Sequence, residues 1–140
     1  MPIRPAPGNQ AGLTQEEAGY DLPDVSQEGH GIAVDAVVYN DEGVWTLADA
    51  STAALAGVGH QIGIVYAVGS VDLLSVRLKG VHTTDEAHAL TNGAEVYLSE
   101  TAGEWTEMAP DTALSVVVKL GTARGTHVID VDIDTGYTVE

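Results

Sequence analysis

Between Thr126 and Asp134 the chain alternates: after Val128, the apolar Ile129, Val131 and Ile133 are interleaved with Asp130, Asp132 and Asp134. Side chains two apart share one face of a strand, so this stretch spells a strand with one dry and one wet face. The same period sets Leu74, Val76 and Leu78 opposite Ser75, Arg77 and Lys79. It also sets Leu114, Val116, Val118 and Leu120 opposite Ser115, Val117 and Lys119. Residues 32–39 and 62–68 are apolar on both faces, which predicts central strands or strands covered by a neighbouring subunit. Gly43, Asn92-Gly93, Gly103 and Gly125 break the runs as turns. Two segments depart from the period. Residues 51–56 and 83–90 read as short helices, the second with a Thr N-cap, acids in its first turn and Asn92-Gly93 to stop it.

Residues 1–30 differ from the rest. Pro2, Pro5, Pro7 and Pro23, several Gly and few large apolar residues predict an extended N-terminal arm that forms neither sheet nor long helix. Thr14-Gln15-Glu16-Glu17 has capping-box spacing, but Gly19 limits it to one turn. Residues 31–140 form the expected β domain.

That domain contains a weak repeat, with units at about 31–80 and 90–137. Val38-Tyr39, Gly43-Val44-Trp45-Thr46, Asp49-Ala50-Ser51-Thr52-Ala53-Ala54-Leu55 and Gly63 recur in order as Val96-Tyr97, Gly103-Glu104-Trp105-Thr106, Asp111-Thr112-Ala113-Leu114 and Gly121. The aromatics and the last glycines are offset by 58 to 60 residues. Each unit ends in an alternating strand, 71–79 and 126–134. The expected fold class is therefore all-β, a small β-sandwich or barrel built from two hairpin-plus-strand units. Tyr39, Trp45, Tyr97 and Trp105 are its repeat aromatics. Both tryptophans could cap the core or stack on sugar rings, and their repeat equivalence favours the core.

Charge narrows the function. Against 21 Asp and Glu stand 5 Lys and Arg in 140 residues, a formal net charge of −16. Such a field repels phosphate backbones and anionic lipid, so neither nucleic acid nor membrane is an expected partner. Hydrophobic residues make up 44% of the chain, enough for a folded domain, but Phe is absent and aromatics total 5%, so the core must be aliphatic. The start lacks the basic and apolar regions of a secretory signal, and no stretch approaches ~18 apolar residues.

Candidate chemistry is sparse. With no Cys there are no thiolate nucleophiles or thiolate metal sites. Asp85-Glu86-Ala87-His88 spells a nucleotide-hydrolysis box, yet no Gly-rich phosphate loop accompanies it. His30, His60, His82, His88 and His127 form no His-x-x-x-His pair, and Asp130-Val131-Asp132-Ile133-Asp134-Thr135-Gly136 lacks calcium-loop spacing, so no metal is expected. The six serines include no Gly-x-Ser-x-Gly. The reading is a protein without catalytic residues, metal or cofactor.

The second unit, Leu90-Thr91-Asn92-Gly93-Ala94-Glu95-Val96-Tyr97-Leu98-Ser99 with Gly103-Glu104-Trp105-Thr106, Ala109-Pro110 and the closing Val128 to Tyr137, resembles bacteriophage virion proteins. It looks like the small capsid decoration, or cement, proteins and related head-fibre and tail-fibre β modules; residues 31–80 are a fainter match. The resemblance implies a non-enzymatic homotrimer on the capsid exterior at capsomer junctions, with the major capsid protein as partner and the host cytoplasm as its place of assembly. A proline-rich arm that cannot fold alone can order on a neighbouring surface, so the arm is expected to contact the shell, through Ile3, Arg4, Leu13, Tyr20 and Leu22. The alternative it leaves is a fibre or spike adhesin module binding host glycan through exposed aromatics.

Overall fold

The computed structural model describes residues 20–51, 61–111 and 116–138. These residues form nine strands and no helix: β1 (Tyr20–Ser26), β2 (Val37–Asp41), β3 (Val44–Leu47), β4 (Ile62–Ser70), β5 (Leu73–Thr83), β6 (Glu95–Leu98), β7 (Trp105–Thr106), β8 (Val116–Arg124) and β9 (Val128–Thr138). All pairings are antiparallel, in one sheet of order β3-β2-β4-β5-β9-β8-β6-β7 with β1 added on β5. The sheet curls into a half-barrel, and the all-β architecture is as the alternation predicts.

The strand order reads the same from both ends. β3-β2-β4-β5 is matched by β7-β6-β8-β9, and the units meet where β5 pairs with β9 from Lys79↔Asp132 to Thr83↔Val128. Register repeats as well: Val38 faces Gly63 as Val96 faces Gly121, and Tyr39 faces Thr46 as Tyr97 faces Thr106. The sequence repeat is thus a duplicated four-stranded unit. Its two matched glycines have one physical reason, a neighbouring strand too close for a Cβ. A Cβ at Gly63 would overlap the Val76 side chain, and one at Gly121 the Asp130 carbonyl.

Equivalent positions nevertheless enter different cores. Val96, Leu98, Ala123 and Ile129 join Val37, Tyr39, Ile62, Ile64 and Leu120 in the larger cluster, with Trp105 packed against it. Val38, Trp45, Val65 and Val76 join Ile32 and Leu74 in a smaller one. The first unit is therefore buried on two sides, which accounts for the apolar residues on both faces of 32–39 and 62–65. Its second cover is supplied by the same chain, through Leu22 and Val25 of β1 and Ala36.

This corrects the arm expected for residues 1–30. Residues 20–26 are sheet, and the following turn is tied down by Gln27 N–H to the Asp72 carbonyl (2.8 Å), Gly29 N–H to the Asp72 carboxylate (2.9 Å) and His30 N–H to the Val71 carbonyl (2.8 Å). Arg77 forks onto Asp21 (2.8 and 3.1 Å), donates to the Val81 carbonyl and lies 4.3 Å over the Tyr66 ring, fastening β1 to β5. Residues 1–19 lie outside the described residues.

The helix expected over 83–90 is also corrected. Its donors are used elsewhere: Thr84 N–H by the His127 carbonyl, Asp85 N–H by the Asp35 carboxylate, and His88 N–H by the Thr126 carbonyl. Ala89 then takes a left-handed φ of 61°, which no α-helix contains. Of the helix expected at 51–56, Ser51 lies in a turn and the remainder lies outside the described residues.

Candidate functional site

Backbone bonds bring the far ends of the sheet together. Val37 N–H donates to the Gly103 carbonyl (3.0 Å), Gly103 N–H to Ala48 (2.7 Å), Ala50 N–H to Ser99 (2.8 Å) and Val116 N–H to Ala50 (2.7 Å). Over this seam lies an open groove of about 1000 Å³, walled by residues 31–36, Leu47, residues 88–91 and residues 102–107. Each wall is fixed by its own contacts. Glu107 accepts from the Thr91 amide (2.7 Å) and hydroxyl (2.9 Å), which holds its carboxyl below the usual range. His88, buried, accepts the Leu90 amide at Nδ1 (3.0 Å) and so shapes the left-handed turn at Ala89.

Asp35 is the most constrained residue of the groove. Its φ is 73°, its amide donates to the Val65 carbonyl (2.7 Å), and its two carboxylate oxygens accept from His82 Nε2 (2.8 Å) and Asp85 N–H (2.8 Å). His82 is 1% exposed. Burial pushes its imidazole below the ordinary 6.5, against the opposing pull of Asp35, so the neutral ring donates through Nε2–H. Its Nδ1 is buried without a hydrogen-bond partner. The pair crosslinks the groove wall to β5. Of the hydroxyls among the groove residues, that of Thr91 is engaged by Glu107 and that of Thr106 accepts the Met108 amide (3.2 Å), and no serine lines the groove.

The repeat aromatics separate. Trp45 is 4% exposed, with both backbone groups bonded by the Gln27 side chain (Oε1 2.7 Å, Nε2 2.8 Å), so it has no face for a ligand. Trp105 is half-buried and lines the groove. Tyr39 is buried in the larger core, while Tyr97, half-buried, donates its hydroxyl to Glu95 (2.6 Å). Among the expected arm contacts, Leu22 is half-buried against the smaller core rather than presented outward, and Tyr20 sits opposite Lys79 in β1. Ile3, Arg4 and Leu13 lie outside the described residues.

The acidic face of β9 has a local explanation. Asp132 stands opposite Lys79, Asp134 opposite Lys119, and Asp130 forms an ion pair with Arg124. Opposite charges across a ladder support the pairing without any ion. Among the described residues no three His, Asp or Glu converge as a metal site would require. Asp85 to His88 forms the irregular segment beside residues 126–127. The groove, with its Asp35–His82 anchor, is the feature that sequence reading missed: its parts come from four separated stretches and share no period.

No family model matches the chain, and no curated protein or solved structure is significantly similar to it.

Proposed function

We propose that this protein is a structural virion component that binds the outer surface of an assembled phage capsid and stabilises it, as a homotrimer at capsomer junctions with the major capsid protein as partner. The observation that carries the reading is an aliphatic hairpin on a strongly acidic molecule. At the β4–β5 turn Val68, Val71 and Leu73 are 39%, 64% and 37% exposed, in a chain of net charge −16. Neighbouring exposed aliphatic residues of this kind suit a protein contact, since water gains nothing from them. Their charge surroundings suit a basic surface rather than another copy of the same acidic face. The duplicated β body, stapled by β1 and by the seam between its units, suits a small block that must hold its shape on a lattice. The resemblance of residues 90–137 to decoration proteins supports the same reading and supplies the trimer.

The test is co-sedimentation with purified empty heads, together with solution molar mass. The expected result is saturable decoration by an oligomer, lost in Val71→Asp while that variant keeps the wild-type unfolding midpoint. A wild-type protein that leaves heads bare at micromolar concentration overturns the reading. Removing residues 1–29 would strip β1 from the sheet, so that truncation tests the fold as well as the contact.

A further inference from the structure

The groove between the units carries a recognition chemistry of its own. Its acidic residues are Asp35, Glu104 and Glu107, and no Lys or Arg lines it. Asp35 and Glu107 are held by His82, Asp85 and Thr91, whereas Glu104 stands exposed beside Trp105. Among the described residues Arg77 pairs with Asp21, Lys119 with Glu95 and Arg124 with Asp130, all away from the groove. About 1000 Å³ is the upper end of a small-ligand site and admits a short stretch of extended chain.

We propose that this groove takes a basic, extended polypeptide segment, with an Arg side chain stacked on Trp105 and its guanidinium held by Glu104. A guanidinium is the group that satisfies an aromatic face and a carboxylate at once, by cation–π contact and forked hydrogen bonds. The surrounding charge of −16 raises the local concentration of such a segment. A neutral sugar would also stack on Trp105 and donate its hydroxyls to a carboxylate, but it would gain nothing from the net negative field. Left-handed backbone at Asp35 and Ala89, each braced by side-chain hydrogen bonds, sets the walls before binding. The inference rests on the capsid reading only for the owner of the segment, which is the capsid surface.

The test is an amide-shift titration of the full chain with the capped pentapeptide Gly-Arg-Ala-Arg-Gly, its analogue with Gln for both Arg, and cellotetraose. Shifts confined to 31–36, 88–91 and 102–107 are expected with the Arg peptide alone. Glu104→Gln should weaken binding about fivefold and Trp105→Phe about threefold, while Glu42→Gln, on the β2–β3 turn, should change it less than about twofold. Shifts scattered over the acidic surface, equal binding of the Gln peptide, indifference to Glu104→Gln, or binding of cellotetraose in place of peptide would each overturn the proposal. Purified heads separate the two readings. Peptide binding with bare heads supports the groove and sinks the capsid role, whereas decorated heads without peptide shifts sink the groove alone.

Discussion

Gly63 and Gly121 show how a single missing side chain fixes a fold. Both stand where paired strands approach too closely for a Cβ, one against Val76 and Arg77, the other against the backbone of Asp130. Gly63→Ala and Gly121→Ala should each cost about 1–3 kcal/mol by overpacking. Gly69→Ala, whose Cβ would meet Leu73 at an ordinary 3.4 Å, should stay within about 0.5 kcal/mol, as chemical denaturation can check. His82 gives a second residue-scale prediction, and its sign follows from burial. The folded ring refuses a proton that the unfolded ring accepts near its ordinary 6.5. Below that pH the unfolded state binds more protons, so stability is full above 6.5 and falls as pH drops through the depressed folded value. His82→Gln keeps a donor for Asp35 and removes the titration. Its unfolding free energy should lose less than that of the wild type between pH 7 and the carboxylate range; parallel losses would show that the imidazole carries no linkage.

At the scale of elements, β1 is the informative case. Its apolar residues Leu22 and Val25 are three apart, a spacing that hides a strand, and Pro23 removes a ladder donor. The structure resolves the mismatch with a bulge: register shifts between Leu22 and Val25, Asp24 takes φ 53°, and its amide is satisfied by the Ser75 hydroxyl (2.9 Å). Both apolar side chains then reach the same small core. Removing residues 1–26 should lower stability by about 3 kcal/mol, the order expected for uncovering two half-buried aliphatics and their neighbours, and the midpoint by roughly 10 °C. A midpoint equal to that of the full chain would mean that β1 is an ornament on β5. The contrast explains what was legible in the sequence. Unbroken period-two runs such as 129–133 announced their strands, and Val38, Tyr39, Trp45 and Gly63 announced the duplication. β1 stayed hidden because its bulge breaks the period, and the segment 83–90 misled because its helix signals are local while its hydrogen bonds are not. The groove stayed hidden because Asp35 and His82 meet across 47 residues of chain, through packing that no short pattern encodes.

At the scale of the molecule, charge and apolar surface make separable contributions to the attachment proposed above. Long-range attraction of a −16 body to a basic rim is screened over about 8–10 Å at moderate salt, so it governs encounter rate and salt dependence. The aliphatic hairpin at Val68, Val71 and Leu73 acts only in contact, so it governs residence time. Head binding measured from 50 to 500 mM NaCl should therefore weaken mainly through the association rate. Val71→Ser should raise the dissociation rate several-fold at every salt concentration while leaving the salt slope unaltered. Glu104→Gln should do the reverse for the groove's share, flattening the slope by about one charge contact with little effect on the hairpin's contribution. If the hairpin variant changed the slope and the carboxylate variant did not, the acidic field would be acting on solubility alone, and the contact would have to be sought on another face of the sheet.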